Sequence, residues 1–269
     1  MCEVEGKVVL VTGGAAGIGA CIVREFLKHG AKHVIAADIS EGAGKELQSE
    51  LNAKHGPNKV KFVKCDVTKD IESVLENTSK EFGYIDVVVN NAGIMNDDPK
   101  VYLKEIAINV TAVVSSSLIA YEMMRKDRGG RGGTIINISS IVALAQYSTL
   151  PVYSATKSAV LQFSTCLGLP PNFDKSGVRV FTICFGCTDT QLMSGAKFGA
   201  FDEEVCEKMI HALNISPKQT PEDAGRGLVE AFKQAESAST WLVTSGKPAE
   251  NITARIQEAY KITNQGLGI

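Results

Sequence analysis

Neither sign of charge is in excess in this sequence, and no apolar run goes uninterrupted for long. The 269 residues carry 28 Lys and Arg against 30 Asp and Glu, a formal net charge of −2. That near balance excludes the broad basic field of a nucleic-acid binder and offers no polybasic anchor for a membrane surface. The longest apolar region, residues 106–124, is broken by Asn109, Ser115, Ser116, Ser117 and Glu122, which suits a buried helix better than a bilayer span. The opening Met-Cys-Glu-Val-Glu-Gly-Lys lacks the basic start and small-residue cleavage site of a secretory signal. Seven cysteines, an odd number, then read as reduced thiols in a cytoplasmic protein. In that setting the Asn109-Val-Thr111 and Asn251-Ile-Thr253 triplets are chance glycosylation matches. Internal repeats, low-complexity tracts and linkers are also missing, so one domain over 1–269 is the simplest reading.

What is present is alternation. Residues 7–12, 33–37, 60–63, 86–89, 134–138, 178–184 and 241–244 read as short buried strands. Between them Ile18, Ile22, Val23, Phe26 and Leu27 recur at helical spacing, 41–54 is amphipathic, and 152–169 is predicted helical. Such alternation demands parallel strands with helices on both faces. With right-handed crossovers it gives an α/β Rossmann fold, a doubly wound sheet of about seven strands.

The first strand–helix junction reads Thr12-Gly13-Gly14-Ala15-Ala16-Gly17-Ile18-Gly19. Gly13 can take positive φ in the turn, Gly17 lets backbone approach a pyrophosphate, and Gly19 permits close helix–sheet packing. The phosphates would sit on the free amides and positive dipole of the helix start. Asp38 closes the second strand about twenty residues further on, where an acid accepts hydrogen bonds from the adenosine ribose hydroxyls. The same carboxylate repels the 2′-phosphate of NADP: near 4 Å and an effective dielectric near 20, each pair of unit charges costs about 4 kcal/mol. No Lys or Arg stands among residues 12–19 or directly after Asp38, so the expected cofactor is NAD. The plainer alternative makes Asp38 a helix cap, a role Ser40 could equally fill.

Tyr153-Ser-Ala-Thr-Lys157 lies on a predicted helix, so its first and last residues share one face. A free phenol titrates near pH 10 and is a poor base at neutral pH. A neighbouring ammonium is expected to pull it down. An ordinary surface pair is the bland alternative. Ser140, just past the strand at 134–138, could polarise a substrate oxygen beside the phenol. Asn109 is either a satisfied core amide or the holder of a water next to Lys157.

Together Thr12-Gly-x3-Gly17-x-Gly19, Asp66-Val67, Asn90-Asn91-Ala92-Gly93, Asn109, Ser140 and Tyr153-x3-Lys157 resemble, in order and over nearly the whole chain, the motif set of the short-chain dehydrogenase/reductase family. That resemblance implies Tyr153 as acid/base, Lys157 lowering its pKa and binding the nicotinamide ribose, Ser140 orienting the substrate oxygen, and Asn109 anchoring a proton-relay water. It also implies Ile39, Asp66 and Val67 near the adenosine and Asn91, Ala92 and Gly93 lining the cofactor. Gly186, Thr188 and Thr190 fall where the nicotinamide would lie. The segments around Ser140 and Tyr153 are most similar to 15-hydroxyprostaglandin dehydrogenases and insect alcohol dehydrogenases. Two positions depart from pattern. Phe185 stands where the family has proline, expected to put a bulky ring near the cofactor, and Leu150 replaces a glutamine of the prostaglandin enzymes.

Residues 190–216 fall where the family's substrate loop lies. Leu192, Met193, Phe198, Phe201, Met209 and Ile210 there suit an apolar pocket, although Met209, Ile210 and Leu213 at helical spacing equally suit a core. The expected substrate is a lipophilic secondary alcohol or ketone. No metal is expected, since Cys184 and Cys187 cannot close a zinc site alone and the histidines, at 29, 33, 55 and 211, are scattered. By analogy the helices at 70–82 and 106–124 would pair subunits into a homodimer or homotetramer. The competing readings are a catalytically silent NAD-binding regulatory protein and an NADP-linked carbonyl reductase.

Overall fold

The computed structural model describes residues 2–193 and 199–266, without the side chains of Glu203 and Met209. Strands β1 (Val8–Thr12), β2 (His33–Asp38), β3 (Val60–Lys64), β4 (Val87–Asn90), β5 (Gly133–Ser140), β6 (Val178–Phe185) and β7 (Thr240–Val243) form one parallel sheet in the order β3-β2-β1-β4-β5-β6-β7. An eighth strand, β8 (Glu250–Asn251), pairs antiparallel with β7. The seven strands expected from the sequence are all present; β8 has two residues, too few to carry a pattern.

Both faces of the sheet are covered, and the strand pleat divides the core between them. Val9, Val11, Val87, Val89, Ile136, Phe181 and Ile183 point to one side, under helices α1 (Gly17–Lys28) and α9 (Pro221–Gln234), which add Phe26 and Phe232. Val8, Leu10, Val88, Ile135 and Val180 point to the other, under α3 (Ile71–Phe82) and α5 (Ala112–Met124), which add Leu75 and Met124. Each fully buried side chain of this size contributes about 1.5–3 kcal/mol. Helices α2 (Glu41–His55), α6 (Pro151–Gly168), α7 (Pro170–Ser176), α8 (Glu203–Ile215) and α10 (Thr253–Thr263) complete the layers.

The helix expected over 106–124 starts earlier. It opens as α4 (Tyr102–Ile106), widens into a π turn at Ala107–Thr111, and runs on as α5. From Tyr102–Met124 it is long and apolar enough to cross a membrane by length and composition. Its buried face packs on the sheet and on α3. Strand order reverses between β1 and β4, which splays the following loops apart and leaves a crevice at the carboxyl ends of the strands.

Candidate active site

The loops after β1 and β4 meet at that crevice and are tied by Thr12. Its hydroxyl accepts from the backbone N–H of Asn91 at 3.0 Å and of Ala92 at 3.1 Å. The Asn91 amide in turn donates to the carbonyls of Thr12 at 3.0 Å and Gly13 at 3.3 Å. Gly13 and Gly17 sit at φ +63° and +52°, and a β-carbon on Gly19 would overlap the Gly13 carbonyl, so no other residue fits that turn. Helix α1 then starts with Ala16 at its N-cap, no side-chain cap bond and no acid in its first turn. Among the described residues its free amides have no anionic side-chain partner, which is the condition a pyrophosphate requires. Ile18 is partly buried and packs against the core under α1.

Asp38 ends β2 beside this turn, its carboxylate accepting from the N–H groups of Ala15 at 3.0 Å and Ser40 at 2.9 Å. Ser40, at the start of α2, makes no side-chain cap bond. Ile39 is 66% exposed on the rim. Asp66 folds over its own turn, accepting from the N–H and hydroxyl of Thr68, and Val67 packs against the α3-side core. Across the crevice the Thr190 methyl lies 3.5 Å from where a Gly17 β-carbon would stand. The Thr188 hydroxyl donates to the Gly186 carbonyl and accepts from Gln219.

Helix α6 brings Tyr153 and Lys157 to the same place, both buried. The Lys157 ammonium is 5.6 Å from the Tyr153 ring centroid and donates to the Ile138 carbonyl at 3.1 Å. The Ser139 hydroxyl donates to the Lys157 carbonyl at 2.8 Å, pinning the helix to β5. Ser140, at the end of β5, acts on the Tyr153 phenol, and its hydroxyl accepts from the Val142 N–H at 3.4 Å. A β-carbon on Gly93 would be 3.6 Å from the Lys157 ammonium and 3.2 Å from the Asn109 side-chain Oδ1, so the β4 loop closes the group. Asn109, in the π turn, accepts from the Ile94 N–H at 2.9 Å, donates to the Ile94 carbonyl at 2.8 Å and reaches the Thr156 hydroxyl at 3.2 Å. Its amide is thus satisfied by the protein, at a helix irregularity of the sort often found at functional sites.

In the free protein burial dominates both members of the pair. Burial pushes the Tyr153 phenol above its ordinary range, the negative charge of Glu105 adds to the rise, and the bond from Ser140 opposes it. Burial also draws the Lys157 ammonium down to about 8, against the pull of Glu105 and Cys184. Desolvation outweighs the ammonium because both groups lie out of water.

Asp97, Glu105, Met95, Val142 and Cys206 around this pair were not singled out in the sequence. The Asp97 carboxylate accepts from the N–H groups of Val152 at 2.7 Å and Tyr153 at 3.1 Å, capping the start of α6. Glu105 is wholly buried one helical turn before Asn109. Met95, Val142 and Leu150 form an apolar cluster with Tyr153, against which Leu192, Met193, Cys206 and Leu213 pack. An acid directly before a long apolar stretch was the one available signal for Glu105. Phe201 is exposed and does not join the cluster; Phe198 and the Met209 side chain lie outside the described residues. Phe185 also departs from expectation: its ring is buried in the core beside Ile183 and Val243, because residue 185 still belongs to β6 and pairs with Val243. Cys184 and Cys187 are unpaired, and burial pushes the Cys184 thiol up to about 12, far from a reactive thiolate.

The family model for short chain dehydrogenase matches residues 7–198. The chain is 38% identical over 193 residues to a mouse protein, "15-hydroxyprostaglandin dehydrogenase [NAD(+)]", covering 71% of each. It is 33% identical over 251 residues to "Alcohol dehydrogenase 1" of Ceratitis cosyra, covering 91% of this chain and 94% of the relative. Among solved structures, a 3-ketoacyl-(acyl-carrier-protein) reductase from Brucella melitensis complexed with NADH has the same fold, with a TM-score of 0.74 at 22% identity, covering 91% of this chain and 99% of that one.

Proposed function

This chain belongs to the short-chain dehydrogenase family, and from that premise we propose that it moves hydride reversibly between NAD and a lipophilic secondary alcohol or its ketone. The observation that carries the reading is the buried Tyr153–Lys157 pair beside Ser140, packed with Met95, Val142 and Leu150 and linked to the glycine turn through the loop after β4. The overall reaction is R2CH–OH plus NAD+ giving R2C=O, NADH and H+, in which NAD, when bound, supplies the hydride acceptor.

The chain's own residues handle the oxygen and its proton. Ser140 holds the substrate oxygen, and Tyr153 takes its proton in the oxidative direction. A phenol held high by burial is a weak base until positive charge enters the crevice. Lys157 is the charge the chain itself supplies there. Gly13, Gly17 and Gly19 with the α1 amides would hold the pyrophosphate, Asp38 the adenosine ribose, and Ile39, Asp66 and Val67 the adenine side. Gly93, Lys157, Gly186, Thr188 and Thr190 would surround the nicotinamide end. The Asp38 carboxylate at the end of β2 disfavours the extra phosphate of NADP. The apolar roof favours a substrate with little polarity beyond its oxygen, and Leu150 offers it no hydrogen bond. Exposed Leu103, Ile106 and Leu118 on the Tyr102–Met124 helix support a homodimer or homotetramer.

The test follows NADH absorbance over a panel of secondary alcohols with each cofactor. Turnover with NAD on the more apolar members is expected. Tight NAD binding with silence across the panel supports the regulatory reading, and tighter NADP than NAD binding supports the carbonyl-reductase reading.

A further inference from the structure

Between β4 and α4 the chain forms a strap, residues 94–98, fastened on several sides. Asn109 bonds Ile94 through both its amide groups. Glu105 accepts from the Asn96 N–H at 3.3 Å. Asp97 caps α6 at Val152 and Tyr153, while its own N–H donates to the Gly199 carbonyl at 2.8 Å. The strap therefore joins the helix bearing Glu105 to the helix bearing Tyr153 and to the start of the described part of the substrate region after 198. Glu105 is 0% exposed, and its second carboxylate oxygen, also buried, has no hydrogen-bond partner. An ionised carboxylate in that position is costly unless a cation compensates it. No salt bridge reaches Glu105 among the described residues; the charge of opposite sign that acts on it is the buried Lys157 ammonium.

We propose that Glu105 is a positioning residue of this active site: a buried carboxyl whose ionisation sets the pH window in which Tyr153 and Lys157 work. The inference rests on the assignment of Tyr153 as acid/base. Glu105 and Asn109, four residues apart, share a helix face, and that helix packs against α6. The titrating groups that face Glu105 are Asp97 from the strap and Lys157 and Tyr153 from α6. Burial and the Asp97 charge raise its carboxyl to about 7, with the Asn96 N–H and Lys157 opposing. Its negative charge in turn raises both Tyr153 and Lys157. Ionised Glu105 thus keeps Lys157 cationic in a site that tends to discharge it, and makes the phenol harder to deprotonate.

Glu105→Gln separates charge from shape, since the amide oxygen still accepts from Asn96. The first readout is the pH profile of kcat/KM for alcohol oxidation. With the charge removed, both limbs of the profile, which the Tyr153 and Lys157 protons set together, move to lower pH. A residue that only braced the strap would lower kcat and leave both limbs in place, and limbs superimposable on the wild type overturn the proposal. The second readout needs no turnover. A carboxyl raised in the folded state binds its proton there more tightly than in the unfolded chain, so its contribution to stability is lost as pH rises from about 4.5 through about 7. The Tm of Glu105→Gln relative to wild type is expected to climb between about pH 5 and about pH 8. A Tm difference independent of pH overturns the proposal. A silent panel together with a climbing Tm difference points to failure of the enzymatic reading, because Glu105 then titrates as argued. Should the variant not fold, the wild type carries the test through infrared spectroscopy. A protonated-carboxyl band that titrates near pH 7 is expected, and absence of any such band at lower pH overturns the proposal.

Discussion

A phenol and an ammonium one helical turn apart are common on protein surfaces; here burial makes them a chemical pair and reverses one expectation about them. Lys157 lies out of water with a single carbonyl partner, Ile138, so its charge is destabilising until the site is occupied. Lys157→Met is therefore expected to raise the Tm of the free protein while abolishing turnover. An amine lowered to about 8 from an ordinary 10.5 penalises the folded state below that range. The penalty fades as pH climbs through it, so the gain in Tm should shrink toward alkaline pH, as a thermal scan across pH would record. At Asp38, replacement by Ala removes the repulsion of a 2′-phosphate. Titration of the two cofactors should show NADP gaining on NAD by about tenfold or more. Tyr153, Lys157, Ser140, Asn109 and the glycines were legible in the sequence because their spacing lies within single elements or junctions. Asp97 and Glu105 were not, because their meaning depends on which distant groups burial brings beside them. The net rise of the phenol in the free protein was not legible for the same reason: spacing reports proximity, and desolvation appears only in the fold.

Strands announce themselves by continuous apolar runs, and β1 through β7 were readable because both of their faces are covered. The π turn was not readable, since nothing in Ala107–Thr111 marks a wider helix; it exists because the Asn109 side chain is held by Ile94 and Thr156. Phe185 was expected to put its ring near the cofactor and proves to be the last residue of β6, since its pairing with Val243 continues the register. Two elements carry predictions. Gly19→Ala places a methyl on the Gly13 carbonyl, so the turn must open; fluorescence titration should show NAD affinity lost with the far-UV spectrum of the fold retained. Asp97→Ala strips the cap from α6, leaving the N–H groups of Val152 and Tyr153 without their acceptor. Loss of such a cap costs about 0.5–2 kcal/mol, which the urea midpoint measures. It should also reduce turnover, because the first turn of that helix positions the phenol.

The whole molecule places its chemistry where a doubly wound sheet must place it, at the carboxyl ends of β1 and β4 where the strand order reverses. Three loops from separate stretches of sequence converge there, after β1, after β4 and after β6, and α6 closes the site from one side. Exposed Leu103 and Leu118 on the helix before β5 remain to be covered in this account by a second copy. Leu118→Arg is expected to shift the sedimentation coefficient toward the monomer, and an unchanged coefficient contradicts that pairing. The central claim, that one buried phenol moves the substrate proton while NAD accepts hydride, is tested most directly by Tyr153→Phe. NADH formation from a secondary alcohol should fall by about 10²–10⁴-fold with NAD affinity unchanged. Turnover equal to that of the wild type would contradict the account.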